Sequence, residues 1–321
     1  MSRSLLGKVI LVTGGTGSIG KVAVARAVEE GAAEVRVLSR DEQKHVEIRR
    51  ISSRVHSYIG DVRDFDRVYD AARGVDFIFH AAAMKHVPEC ERDPLEAVKT
   101  NVLGSENVLR AAELRNVECV VSLSTDKAVE PTSVMGMSKA MMERLALSED
   151  RKFRSCVVRF GNVIGTRGSV LPLFEHLIQQ NLPILVTDPG MRRFLMTPTQ
   201  AVNLVMGAYK DGESGDIFIH EAPVATVGDM AIASTLLAGL PEHPIKIIGP
   251  RQGEKFDEAL ATLGEMDRAY RLGDFIVIAR DKSSVIGIDT VEQPTTNRVT
   301  ISPVILGQLL SIVKREGTWQ L

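Results

Sequence analysis

The sequence predicts an α/β protein, a doubly wound parallel sheet followed by a smaller α/β lobe. Three observations predict it. Short apolar, β-branched runs alternate with helix-patterned segments through the first half of the chain. A glycine series, TGGTGSIG at 13–20, stands between the first such run and the first helix. After Gly161 the rhythm breaks and glycine and proline become frequent. Alternation of this kind builds a parallel sheet covered by helices on both faces.

The elements follow in order. Residues 9–13 (VILVT) form a continuous apolar run, the pattern of a strand buried on both faces. Residues 19–30 have helical spacing and stop at Gly31. Further strands are expected at 35–38, 55–59, 75–80, 118–123 and 155–160, with helices at 42–50, 63–73 and 135–147. Residues 94–115 hold one long helix or two short ones. Beyond Gly161, short strands are expected at 184–187, 217–220 and 245–248, and a last helix near 303–314. The expected division is a dinucleotide domain at 1–165, completed by parts of 198–225, a substrate lobe mainly at 166–281, and a divergent tail at 282–321.

Composition narrows the function classes. The 321 residues are 44% hydrophobic and 25% charged, as in an ordinary globular enzyme. A net charge of −2 supplies no field to draw the protein to nucleic acid or a membrane surface. The first apolar run is short and leads into glycines, so no signal peptide is expected. No stretch has the length of a membrane span. Cys90, Cys119 and Cys156 are scattered, which fits a reducing cytoplasm and neither a disulfide framework nor a metal site.

Chemistry enters with the glycine series. Gly14, Gly17 and Gly20 lie between strand and helix, where a helix N-terminus offers free N–H groups and a positive dipole end to a pyrophosphate. Gly14 and Gly17 permit close backbone approach, and Gly20 is expected to let the helix pack on the sheet. This context makes the fold Rossmann-type. Thr16, Ser18 and Ile19 belong to the same cofactor loop. At the tip of the second strand stand Ser39 and Arg40, where NAD sites usually carry an acid. A guanidinium there suits a 2′-phosphate, so NADP is expected, although Arg40 also reads as a solvated arginine. Asp61 and Val62 fall where adenine is contacted, and Asp61 also reads as a helix N-cap. Ala81, Ala82, Lys85 and Asn101 complete the expected cofactor set.

The segment STDKAVEPTSVMGMSKA raises a second question. Lys139 sits where a dehydrogenase of the short-chain type carries its lysine, but Met135 occupies the tyrosine position four residues earlier. Methionine carries no proton, so acid and base must come from elsewhere.

The segments TGGTGSIGK, SRDE, GDVRD, HAAAMKHVPECERDPLEAVKTNVLGSENVL, LSTDKAVEPTSVMGMSKAMMER and RFGNVIGTRGSVLPLF resemble the UDP-N-acetylglucosamine 4,6-dehydratases of surface polysaccharide biosynthesis. These are extended short-chain dehydrogenase/reductase enzymes. The resemblance continues through TDPGMRRFLMT and GPRQGEKFDEAL to LGDFIVI, near residue 278, and is poor over 279–321. The soluble, C5-inverting subgroup is the most similar, and its capsule-type members share methionine at the tyrosine position.

The resemblance implies an internal redox cycle on NADP. A hydride leaves C4 of the sugar, the 4-keto group acidifies the C5 proton, the C6 hydroxyl departs, and the hydride returns at C6. Carried over residue by residue, Lys127 acts at C5, Asp126 assists at the C6 oxygen, and Lys139 holds the nicotinamide ribose. Adjacent opposite charges tune each other, and burial lowers a lysine's proton affinity. Lys127, working through Thr125 or water, is also the first choice for the C4 hydroxyl proton. Met135 marks the position where the tyrosine's work has moved, or simply packs. Arg193 and Arg251 match residues that meet the pyrophosphate, and Glu254 one that accepts from the uridine ribose. Asn162, Ser169 and Val170 face the nucleotide half, Lys85 and His86 the sugar, with His86 chiefly structural. The implied partner is UDP-N-acetylglucosamine or a related UDP-sugar, and the implied assembly a homo-oligomer, often a hexamer. Two rivals stand beside this reading: an epimerase or retaining dehydratase on the same fold, and a non-enzymatic NADP-binding sensor or scaffold.

Overall fold

The computed structural model describes residues 3–281, 291, 293–296 and 300–315. Its first strands are β1 (Val9–Thr13), β2 (Glu34–Ser39), β3 (Val55–Ile59), β4 (Phe77–His80), β5 (Cys119–Leu123), β6 (Arg154–Arg159) and β7 (Asn162–Val163). They are followed by β8 (Ile184–Val186), β9 (Arg192–Met196), β10 (Ile217–His220), β11 (Val224–Thr226), β12 (Ile245–Ile247), β13 (Ala269–Leu272) and β14 (Phe275–Ile278). One nine-stranded sheet runs β13-β14-β10-β6-β5-β4-β1-β2-β3. From β3 to β10 every pairing is parallel, and β14 and β13 add antiparallel strands at the edge. The strand order around β1 is that of a doubly wound Rossmann sheet.

The apolar runs explain this sheet. Ile10, Leu11 and Val12 of β1, Val120 and Val121 of β5, and Val157 and Val158 of β6 are all buried. Such strands fill the middle of a sheet because helices cover both faces. The chain then leaves and returns. The Pro198–Asp211 helix, opened by a reciprocal Thr197–Gln200 cap with proline in its first turn, lies against the Ser18–Glu29 helix and delivers β10 to the sheet. Residues 269–278, given to the second lobe by the sequence reading, pair in this same sheet.

The second lobe has its own small core. Its sheets are β11-β9-β7 and β12-β8. Phe174, Ile184, Leu195, Met230, Leu306 and Leu310 are buried together there. The helix Pro303–Arg315 packs on the Val227–Leu237 helix, so it belongs to this lobe. The rest of the 282–321 tail lies largely outside the described residues.

Two local readings are corrected. Residues 94–114 are helical throughout but neither one regular helix nor two. A π-helical stretch, Val98–Leu103, joins Pro94–Ala97 to Gly104–Leu114. Such widened turns are uncommon and concentrate near functional sites. The helix expected at 63–73 is Phe65–Ala71, and its N-cap is Asp64, not Asp61. The Asp64 carboxylate accepts from the Arg67 backbone N–H.

Candidate active site

The sheet's topology sets the cofactor loop. β1 pairs with β2 on one side and β4 on the other, so the chain direction diverges between β1 and β4. Open α/β sheets bind ligands beyond the carboxyl ends of strands at such a switch point. Thr13 and His80 end these strands side by side. Gly14 follows with φ +67°, and a Cβ there would come within 2.9 Å of Ala82 backbone atoms. Glycine is required both by that left-handed conformation and by the contact between the two loops. Gly20 acts differently from expectation. A Cβ on it would strike the Gly14 carbonyl and Gly15, so it packs the helix on its own loop and not on the sheet.

The Ser18–Glu29 helix begins after Gly17 with no side-chain cap. A helix N-terminus of this kind is where a dinucleotide's phosphates are held. Thr16 and Ser39 are tied together, Oγ1 donating to Oγ at 2.9 Å, and Ser39 Oγ also lies 2.9 Å from His45 Nε2. Arg40 has a side chain 64% exposed, with Nη1 3.8 Å from Asp61 Oδ2. Asp61 is held more closely by Arg63, at 2.7 Å, which leaves the Arg40 guanidinium free to meet an anion. Val62 is buried.

Asn101, expected at the cofactor, has its amide fully engaged. It accepts from Met84 N–H, donates to Met84 carbonyl, and donates to Ser138 Oγ at 2.9 Å. It therefore fixes the chain beyond β4 against the helix that carries Lys139. Lys85 Nζ donates to the Arg167 carbonyl at 2.8 Å, and Arg167 N–H donates to Ser18 Oγ. These bonds bring the 165–168 loop, the cofactor loop and the β4 loop together. His86 caps the next helix by position and packs against Gly168.

The reactive segment follows β5. Thr125 accepts from Lys127 N–H and opens a short 3₁₀ turn, Asp126–Ala128. Asp126 is fully buried. Its Oδ1 accepts from Thr125 Oγ1 and from Lys127 Nζ, both at 2.9 Å. Its Oδ2 has no hydrogen-bond partner among the described residues. A buried carboxylate oxygen without a donor is costly unless a ligand or water supplies one.

The charge on Lys127 corrects an expectation. Burial does pull its proton affinity down, but Asp126 and Glu258 outweigh it, and the net direction is upward, against a smaller opposing push from Arg193. Nζ lies 3.4 Å from Glu258 Oε1 and 3.5 Å from Asn162 Oδ1. Lys127 is therefore an ammonium in the free protein. Lys139 behaves oppositely. It is 6% exposed, and burial, only partly offset by Glu143, pulls it down to about 8. His80, buried between Thr13 and Ser105 hydroxyls, is pushed down to about 3 by burial and by Lys139. It is a neutral bridge from β1 to the Gly104–Leu114 helix.

Met135 is 5% exposed and packs with Cys90, Ala97, Met84 and Val87. The residue at the tyrosine position is thus part of an apolar seam between helices.

The second lobe supplies the remaining groups. Arg193, 5% exposed, donates to the Arg192 and Phe256 carbonyls and lies 3.4 Å from Glu254 Oε1. Glu254 Oε2 accepts from the Arg251 backbone N–H, while Arg251 itself is exposed. Ser169 precedes the Val170–Gln179 helix, and its buried Oγ has no partner among the described residues.

Three groups escaped the sequence reading. Glu258 is 3% exposed and meets both Lys127 and Lys255. Arg159 is 4% exposed and forms paired bonds to Glu143 and to Glu265. Gly136 is the third: a Cβ on it would strike the Lys127 carbonyl. Glu258 lies inside GEKFDEAL, a segment that carries the family resemblance, but only the fold brings it to Lys127. Among the described residues no His, Cys, Asp or Glu cluster has metal geometry, and no helix is long and apolar enough to cross a membrane.

Comparison with known proteins agrees with this architecture. A family model described as "Polysaccharide biosynthesis protein" matches residues 10–280. A protein named UDP-glucose 4-epimerase from Rickettsia bellii (strain RML369-C) is 45% identical over 287 residues, 85% of this chain and 83% of that one. The X-ray structure of Pen from Bacillus thuringiensis is 36% identical, with a TM-score of 0.91 over 97% of this chain and 100% of that one. A dTDP-glucose 4,6-dehydratase from Streptomyces venezuelae, DesIV, solved with NAD and DAU bound, shares the fold at a TM-score of 0.72 and 23% identity. That match covers 77% of this chain and 86% of the other.

Proposed function

The chain belongs to the polysaccharide biosynthesis protein family, and we propose that within it the protein is an NADP-dependent nucleotide-sugar 4,6-dehydratase. The substrate we infer is UDP-N-acetylglucosamine, and the product a UDP-4-keto-6-deoxy sugar with C5 inverted. The observation that carries this reading is the Asp126–Lys127 pair at the end of β5, with the Asp126 Oδ2 buried and without a donor among the described residues. A 4-epimerase needs proton chemistry at C4 alone. A dehydratase also needs a base at C5 and an acid at C6, and this pair is suited to both.

The residues around the glycine loop fit a dinucleotide: an uncapped helix N-terminus for the pyrophosphate, and an exposed Arg40 for a 2′-phosphate. When bound, the cofactor supplies the hydride acceptor and donor. Lys139, on the helix behind Met135, holds the nicotinamide ribose. Arg193 and Arg251 meet the substrate's pyrophosphate, Glu254 its ribose, and Asn162, Ser169 and Val170 line the nucleotide half.

The free protein holds Lys127 as ammonium and Asp126 as its carboxylate partner. The C5 and C6 step calls for the reverse, an amine and a carboxylic acid. One proton moving from Lys127 Nζ to Asp126 Oδ1 along their 2.9 Å hydrogen bond makes the exchange. Lys127 then takes the C5 proton, and Asp126 gives its own to the departing C6 hydroxyl, which leaves as water. The ammonium so formed returns a proton to C5. The C4 hydroxyl proton passes to water, because Lys127 starts as an ammonium and is not its first acceptor, contrary to what the sequence suggested. At the end of the cycle a proton from water returns to the Lys127 amine, which restores the ammonium and balances the proton lost with the departing hydroxyl.

A second reading has a specific support: the 45%-identical relative is named an epimerase. Mass spectrometry of the sugar nucleotide after incubation with UDP-N-acetylglucosamine and NADP separates the two. The dehydratase reading requires a product lighter by one water. An isomer of unchanged mass supports the epimerase.

A further inference from the structure

A loop outside the Rossmann sheet reaches the reactive pair through one buried acid. Glu258 is 3% exposed and comes from a loop, not from the Rossmann sheet. Its Oε1 lies 3.4 Å from Lys127 Nζ and its Oε2 3.2 Å from Lys255 Nζ. The result is a line of alternating charge: Asp126, Lys127, Glu258, Lys255. Lys255 Nζ also donates to the Val129 carbonyl at 2.7 Å, just past the Asp126–Ala128 turn. Glu258 is anchored from behind: its N–H donates to Thr296 Oγ1, and its carbonyl accepts from Thr296 N–H, each at 2.8 Å.

We propose that Glu258 is a positioning residue that sets the proton affinity and the place of the Lys127 ammonium, so that the loop carrying it completes the acid–base site. This rests on the reading of Lys127 as the proton-transferring lysine. The geometry carries it. A nearly buried carboxylate facing two ammonium groups is charge-balanced by them, whereas a lone buried acid would be costly. The groups facing Lys127 are Asp126, Glu258, Asn162 and the Arg193 guanidinium, with Thr125 bonded to its backbone. Asp126 and Glu258 favour the charged lysine, while Arg193 and burial oppose it. Asp126 neighbours Lys127 in sequence and is always present. Glu258 arrives only through the fold, so it is the adjustable member.

The test uses the full chain without substrate, carrying ¹³C,¹⁵N-lysine, with Lys127 assigned by its loss in Lys127→Gln. Titration by NMR gives the Lys127 midpoint directly. Glu258→Gln should lower that midpoint by about one pH unit or more, and Glu258→Asp should restore part of it. Lys255→Met, which removes the competing cation, should move it upward. Opposite movements in the two variants are not produced by loss of packing, and Lys255→Met keeps the test available if Glu258→Gln does not fold. A Lys127 midpoint unchanged in the folded variants overturns the proposal. Because no sugar nucleotide is used, these shifts stand or fall apart from the proposed reaction. A shifted midpoint in a protein that never dehydrates a UDP-sugar supports the positioning role and removes the reaction.

Discussion

Gly136 and Lys127 touch backbone to backbone: the space a Cβ on Gly136 would need is occupied by the Lys127 carbonyl oxygen. The helix bearing Lys139 therefore docks on the turn bearing Asp126 and Lys127, and the glycine between Met135 and Met137 is what permits it. Glycine-to-alanine changes inside helices ordinarily stabilise by about 1 kcal/mol. Here Gly136→Ala should do the opposite, costing about 1–3 kcal/mol by overpacking, and should depress turnover. Urea unfolding of the two proteins checks the sign. A more stable Gly136→Ala protein with normal activity would refute the docking.

Arg159 ties three parts of the site. Its Nε and Nη2 donate to Glu143 at 2.9 and 2.7 Å, and its Nη1 and Nη2 to Glu265 at 2.9 Å each. Removing one member of a buried ion pair strands the rest. Arg159→Met should cost about 3–5 kcal/mol, read as a lower denaturant midpoint. A loss below about 1 kcal/mol would mean the cluster contributes little.

Lys139 predicts a pH dependence. Its folded value, about 8, lies below the ordinary 10.5. The ammonium is present below about 8 and lost as pH rises through it, so any affinity that depends on its charge falls on the alkaline side. NADP affinity, measured by titration calorimetry between about pH 6.5 and 9.5, should weaken above that point. The dependence should flatten in Lys139→Met. For stability the sign is the reverse: protonating this buried lysine costs free energy, a cost that builds as pH falls from 10.5 toward 8 and is complete below it.

Asp126, Lys127 and Met135 separate proton chemistry from packing. Asp126→Asn and Lys127→Met should each lower turnover by at least about 100-fold, with NADP affinity little changed. Met135→Leu conserves volume in the seam with Cys90 and Ala97 and should cost less than about 1.5 kcal/mol, while keeping most activity. Normal turnover in folded, NADP-bound Lys127→Met would show that the proton goes elsewhere.

What was legible in the sequence was local. VILVT, SCVVRF and the strand-to-helix turn after Thr13 read correctly because a buried strand and such a turn are written in consecutive residues, whereas the role of Gly20 did not. The π-helical stretch at Val98–Leu103 was not legible: no consecutive pattern marks it, and the bonds of its Asn101 to Met84 and Ser138 are made only in the fold. The sign of the Lys127 shift was missed for the same reason. Burial alone points downward; Asp126 and then Glu258, which only the fold brings close, together reverse it. Arg159 looked like an ordinary strand residue in SCVVRF until Glu265 was placed against it.

The most direct test of the account is a proton NMR time course with UDP-N-acetylglucosamine and NADP. It should show a new C6 methyl signal growing as the substrate's C6 methylene signals disappear, with couplings that report inversion at C5. A 4-epimer accumulating with no methyl signal would contradict it.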